Sequence, residues 1–202
     1  MLSFFRTFIK DTRAIPLGIK LIIFVLFLRA LGWGFADPLF PLYLGQFESK
    51  YSVVGSLVSL LQLSSFLMII PLLRLADRVK ESVIIRDGEV IYFFAITCYI
   101  LAGVFKSIPL LILGLILNGM GQPLIVVGAE SYIRKHDRGG RTTPFGMYLA
   151  VEYFGWILGM IIGAFLIQYY GLNWMFAWVI PGILASFFYS SPYPRTGLKV
   201  FF

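Results

Sequence analysis

Charged and amide side chains stand inside stretches otherwise built from Leu, Ile, Phe and Val. Arg29, Trp33 and Asp37 recur at a spacing of four within residues 17–44, which lays them along one drifting face of a helix. Arg29 and Asp37 then lie about 12 Å apart along the axis, at 1.5 Å per residue. That is too far for a direct contact and suits holding the two ends of a polar solute. Asn118 and Gln122 repeat the spacing within 108–133, with Glu130 and Arg134 beyond them. Glu130–Arg134 reads either as a simple i,i+4 pair or as part of a latch at one end of the helices. Glu152 is the loneliest acid, with Tyr148 one turn before it and Trp156 one turn after. A carboxyl in that position serves proton coupling, or forms a static pair with Arg29. Arg29, Trp33, Asp37, Asn118, Gln122 and Glu152 are therefore the candidates for substrate contact and coupling.

The elements that must position these groups are membrane helices. The 202 residues are 59% hydrophobic, 17% aromatic and only 13% charged, with a mean hydropathy of +0.86. A soluble domain of this size needs far more polar surface. A helix crossing the hydrocarbon needs about 20 apolar residues, and six stretches approach or exceed that: 17–44, 52–73, 83–105, 108–133, 144–169 and 172–189. In such a setting a charge near the bilayer centre costs about 2.5–3.5 kcal/mol, so it faces a cavity or a partner. The sequence predicts an all-α polytopic membrane protein with six transmembrane helices.

The net charge of +7 is explained by topology, with no nucleic-acid partner required. All the cations but Arg29, Lys50 and Lys106 fall before the first stretch or at its start, between the second and third or at the start of the third, between the fourth and fifth, or after the sixth. By the positive-inside rule this places both termini in the cytoplasm of a cell (inner) membrane protein. Residues 1–16 are basic and carry Leu2, Phe4, Phe5, Phe8 and Ile9, which reads as an interfacial helix. The apolar run that follows is too long for a signal peptide and lacks a small-residue cleavage site. The expected organisation is thus an interfacial segment 1–16, one transmembrane domain 17–190 and a cytoplasmic tail 191–202. Cys98, the single cysteine, allows no internal disulfide and reads as packing. Arg86, Asp87 and Glu89 are expected near the cytoplasmic mouth of the third stretch, where snorkelling is easy, and receive no substrate role.

Two interruptions resemble each other. "LGWGFADPL" (31–39) and "NGMGQPL" (118–124) each put G-x-G shortly before Pro-Leu in mid-membrane. Such breaks mark either a binding region shared between two three-helix repeats or close helix packing. The turn "LRLADRVKES" joins the second and third stretches. There Leu75, Asp77 and Arg78 match the loop signature G-x-L-x-D-R-x-G-R-R, while Leu73, Lys80, Glu81 and Ser82 depart from it. Gly34 and Pro38 fit a G-x-x-x-P pattern, Arg141, Phe145 and Gly146 an R-x-x-x-F/Y-G entry, and Gly155, Gly159 and Gly163 a glycine ladder for close packing. In these features the chain resembles the amino-terminal six-helix half of the major facilitator superfamily (MFS) of secondary transporters. Met160 and Ala164 replace the proline and final glycine of the antiporter form of the ladder, so antiport is not implied. Leu115 replaces the arginine that drug antiporters carry in the fourth helix.

The resemblance implies two three-helix repeats, helices one and four lining a cavity, and a cytoplasmic latch of Asp77 and Arg78 with Glu130, Arg134 and Arg141. The bland reading of Asp77 and Arg78 is a loop whose charges only set topology. The resemblance further implies a small-molecule substrate moved by alternating access. The chain would be a half-unit that needs a second six-helix half, as a homodimer or a separate carboxy-terminal chain. The alternative is a truncated or split gene product with a structural or partner role. An intramembrane enzyme is disfavoured, because Ser56 lies near the outer end of the second stretch while the single histidine, His136, lies in a cytoplasmic loop. No cofactor and no metal site are expected.

Overall fold

The computed structural model describes residues 15–76, 78–136 and 143–190; the interfacial segment and the tail expected from sequence lie almost wholly outside them. Every element among these residues is helical. The first apolar stretch, Leu17–Gly45, runs as α1 (Leu17–Ala36), a 3-10 turn (Asp37–Leu39) and α2 (Phe40–Gly45). Pro38 and Pro41 cause the break: neither has an N–H to donate, and each ring crowds the carbonyl four residues back. α3 spans Tyr51–Ala76, α4 Glu81–Phe105, α5 Ile108–His136 and α6 Thr143–Tyr170. At 1.5 Å per residue, a 26-residue helix such as α3 is about 39 Å long, enough to cross about 30 Å of hydrocarbon with tilt. Five helices are long and apolar enough to cross a membrane.

The sixth stretch differs from the continuous helix expected over 172–189. After Gly171, at φ +77°, Leu172–Val179 forms 3-10 turns, and only Ile180–Ser190 (α7, 11 residues) is α-helical. Pro181 is the second residue of α7, where its missing N–H leaves no helical bond unmade and its ring's crowding of the Ala177 carbonyl favours a helix start. The fifth helix ends where the left-handed Gly171 reverses the chain, a conformation glycine adopts without a Cβ penalty.

Packing is interleaved. α4 packs on α5, and α3 also packs on α5; α1 packs on α6, while the 3-10 segment and α7 fill the angle between α1 and α4. Of the most apolar residues of α1–α2, 61% are buried inside the bundle, against 6% in α3 and 17% in α6. Phe66, Leu67, Leu73, Phe154 and Phe165 all point outward. So large an apolar surface is tolerated in lipid or against another apolar body. At one end of the bundle the core is aromatic. Phe176 lies 4.9 Å from both Tyr43 and Tyr99, centroid to centroid, with Phe40 beside them.

Candidate substrate and coupling site

Arg29 and Glu89 form the innermost ionic contact. Arg29 Nε lies 3.7 Å from Glu89 Oε1, with the two side chains 6% and 0% exposed. The guanidinium sits 5.1 Å over the Tyr92 ring, a cation–π arrangement that tolerates loss of water. Gly182 lets α7 approach closely, since a Cβ there would stand 2.8 Å from the Arg29 Cα. The pair is poorly satisfied: Arg29 Nε and both Glu89 oxygens lack a well-formed hydrogen bond. Ser186, buried on α7, is the polar side chain that faces the carboxylate.

Glu89 was expected at a snorkelling position, and the structure corrects this. It lies eight residues into α4, about 12 Å from the helix start. Only Arg86 and Asp87 remain at the surface, paired with each other at 3.1 Å. A signal for burial was available, because Ile85, Glu89, Tyr92, Ile96 and Tyr99 share one buried face at helical spacing. Partner assignment changes too. Arg29 pairs with Glu89, whereas Glu152, half-buried, shares a hydrogen bond with Tyr148 on its own helix.

Asp37 stands half-buried in the 3-10 turn and accepts a hydrogen bond from Trp156 Nε1 of α6 at 3.2 Å. Trp33 packs against Tyr92 and Phe40, with centroids 6.0 and 6.3 Å away. Asn118 is fully buried and donates through Nδ2 to the Tyr99 hydroxyl at 3.1 Å, while its Oδ1 has no partner. The Tyr43 hydroxyl donates to the Tyr99 carbonyl, tying α2 to α4. Gln122, one turn on, is half-buried. The structure thus sorts the polar candidates into a sealed set (Arg29, Asn118) and a half-exposed set (Trp33, Asp37, Gln122, Glu152).

The glycines set how closely the helices approach. A Cβ at Gly155 would lie 2.8 Å from the Phe27 carbonyl oxygen and one at Gly163 2.7 Å from the Phe35 Cα. One at Gly159 would strike the Leu31 carbonyl, and one at Gly34 the Trp156 carbonyl. Across the bundle, a Cβ at Gly119 would lie 2.6 Å from the Leu61 carbonyl of α3. Gly34 and Gly119 each precede a proline by four residues, Pro38 and Pro123.

Of the latch candidates, Asp77 and Arg141 lie outside the described residues, and Arg78 is exposed just after α3. Arg134 lies 3.7 Å from Glu130 and 5.6 Å over the Phe145 ring of α6. Lys135 at the end of α5 pairs with Glu81 at the start of α4, a link the sequence reading missed because Glu81 stood there only as a departure from the loop signature. Among the described residues no three His, Cys, Asp or Glu side chains cluster as a metal site.

Long apolar helices with ionic and amide groups held between them define a multi-pass membrane protein. The sequence profile of the Major Facilitator Superfamily matches residues 22–200, nearly the full length of the transmembrane region. The chain belongs to that superfamily and is a transporter of its type. No curated protein matches it.

Proposed function

We propose that the chain is a secondary active transporter of a small polar solute. It works by alternating access as a six-span half-unit, with both termini cytoplasmic in the cell membrane. A second six-helix half completes the cavity. The observation that carries this reading is the half-exposed polar set on α1, the 3-10 turn after it, α5 and α6: Asp37 held by Trp156, with Trp33, Gln122 and Glu152. Groups of this kind stay inside bilayer-length helices only where a cavity or partner compensates them. Arg29 and Asn118 back that set from within the bundle.

Two three-helix repeats are supported by the interleaved packing. The first stretch packs on the fifth as the fourth packs on the second, and Gly34 and Gly119 sit at those two contacts. The sixth span would be the 3-10 segment followed by α7. Together they reach about 32 Å, at about 2.0 Å per residue in the first part and about 1.5 Å in the second. The bare faces of α3 and α6 suit contact with the second half. Asp77, Arg78, Glu130, Arg134 and Arg141 form the cytoplasmic latch, and Gly155, Gly159 and Gly163 hold α6 against α1.

The test is a thermal-shift screen of the purified chain against anionic, neutral and cationic solutes, followed by uptake of each hit into proteoliposomes. A true ligand at 100 times its Kd stabilises by about 2.7 kcal/mol. Asp37→Asn should abolish that stabilisation, and Asp77→Asn should slow uptake without weakening binding. Stabilisation unchanged in Asp37→Asn removes the site, and uptake by Asp77→Asn at the wild-type rate removes the latch.

A further inference from the structure

We propose that the second half is another copy of this chain, joined in a twofold pair in which α3 of each copy packs along α6 of the other. The inference rests on the transporter reading above and names the partner that completes its site.

α3 and α6 are the long helices that the bundle leaves bare, with 6% and 17% of their most apolar residues buried. As the second and fifth crossings they run in opposite directions, so residues at one depth are found by counting from the two helix middles. α3 has 26 residues and α6 has 28, and each residue advances about 1.5 Å along the axis. On the outer side, Ser59 and Ile161 both lie about 7 Å from the middle, and Gly55 and Phe165 both about 13 Å. On the cytoplasmic side, Ile70 is level with Ala150 at about 10 Å, and Leu73 with Gly146 at about 15 Å.

Size runs in opposite senses along the two faces. Where α3 is small, α6 carries Ile161 and Phe165, 54% and 64% exposed. Where α3 carries Ile70 and Leu73, 52% and 60% exposed, α6 is reduced to Ala150 and Gly146, both exposed. Gly55 and Leu73 are 18 residues apart, a whole number of helical turns, so the small and large ends of α3 share one face. The Ser59 hydroxyl donates to the Gly55 carbonyl of its own helix at 2.9 Å, which leaves the small end without need of a polar partner. A Cβ at Gly146 would meet nothing within 4 Å. No contact inside the chain therefore requires a glycine there, whereas Leu73 of a neighbouring copy would fill that space.

A closed pair of identical chains needs a surface complementary to itself, and these two faces are each other's complement. Copies inserted the same way up keep every residue at its own depth. The axis then runs along the membrane normal, and the match made at one α3–α6 contact is repeated at the other. Lipid does not account for the pattern, because Gln62 is exposed about 2 Å from the middle of α3. Hydrocarbon offers its amide no hydrogen bond, while close approach through small residues is what holds helices together in a bilayer. α1, packed on α6, and α5, packed on α3, then flank the axis. Asp37 and Gln122 of both copies open onto one shared cavity, which presents each polar group twice.

The experiment is disulfide trapping in proteoliposomes between two differently tagged full-length copies, both in a Cys98→Ala background. One copy carries Ser59→Cys and the other Ile161→Cys. A cross-linked species bearing both tags is expected, and adding Gly146→Trp to each copy should abolish it. That Trp has open space within its own chain, so the fold is kept. Copies that both carry Ser59→Cys should not cross-link. Single-molecule bleaching of the otherwise wild-type chain, with one fluorophore fused to each copy, should show two steps per particle. One step per particle at every protein-to-lipid ratio, or cross-linking of Ser59→Cys with itself in place of the mixed pair, overturns the proposal. A mixed cross-link that survives Gly146→Trp overturns the α3–α6 packing. A single-step chain whose solute stabilisation is still abolished by Asp37→Asn overturns the pairing and leaves the transporter reading standing with a different second half. A trapped pair that no solute stabilises keeps the pairing and overturns the transporter reading.

Discussion

Substituting Gly159 tests how tightly α1 and α6 are joined. An added Cβ would strike the Leu31 carbonyl and lie 2.9 Å from the Gly34 Cα and 3.1 Å from its carbonyl carbon. All three obstacles are backbone, so no side chain can swing aside. The helices must part until all three contacts, the Leu31 carbonyl first, reach at least the 3.4 Å of ordinary contact, and overpacking of this kind costs about 1–3 kcal/mol. Gly→Ala in a helix also gains about 1 kcal/mol of propensity, which would mask part of the loss. Gly55→Ala supplies the correction, since a Cβ at Gly55 on α3 has nothing within 4 Å. The gap between the two variants isolates the packing cost. At about 2–4 °C per kcal/mol for a chain of this size, Gly159→Ala should melt about 2–12 °C below Gly55→Ala. Cys98, half-buried on α4, provides the assay: a thiol-reactive dye fluoresces as heating exposes it. Equal melting temperatures for the two variants would refute the close α1–α6 approach.

Arg29→Met should destabilise by about 3–5 kcal/mol, because it leaves Glu89 buried without a counter-charge, and Arg29→Met/Glu89→Met should recover most of that loss; additive melting shifts in the double-mutant cycle would contradict the pairing. Trp156→Phe removes the donor to Asp37 while keeping an aromatic ring, and should cost about 1 kcal/mol, since Asp37 is partly reachable by water. That variant should also weaken binding of any solute hit, and unchanged affinity would detach Asp37 orientation from the site. Lys135→Ala should change stability by less than about 1 kcal/mol, with the effect fading as salt rises. A larger, salt-independent loss would mean that the Lys135–Glu81 link is more than a solvated surface pair.

Five long helices were legible because length and apolarity alone set them. The glycine ladder was legible for a related reason: a spacing of four places Gly155, Gly159 and Gly163 near one face. What stayed hidden was partnership across the bundle. Nothing local to Asp37 names Trp156, 119 residues away, and nothing local to Arg29 names Glu89. Glu89 was misplaced because Arg86 and Asp87 beside it look like a solvated helix entry, although its spacing from Tyr92 and Ile96 matches the buried face. Pro181 was visible in the sixth stretch, yet average hydropathy outweighed the backbone consequence of one proline. The reach of the candidate site was only partly readable, since sealing Asn118 behind Tyr99 depends on how α4 and α5 meet.

The interleaved packing has a consequence for biosynthesis. Arg29 reaches the ribosomal exit before Glu89 has been made, and the 60 residues from Ala30 through Glu89 take about 3–12 s to add at about 5–20 residues per second. α1 waits longer still for α6, whose glycines it meets only after three other helices have been threaded. During that interval a lone guanidinium and an open backbone groove stand in the membrane without their eventual occupants. The nascent chain therefore depends on borrowed cover, from lipid headgroups or the insertion machinery, until its later helices arrive. A pause in translation after residue 76 would lengthen that exposure, since neither Glu89 nor α6 has yet been made.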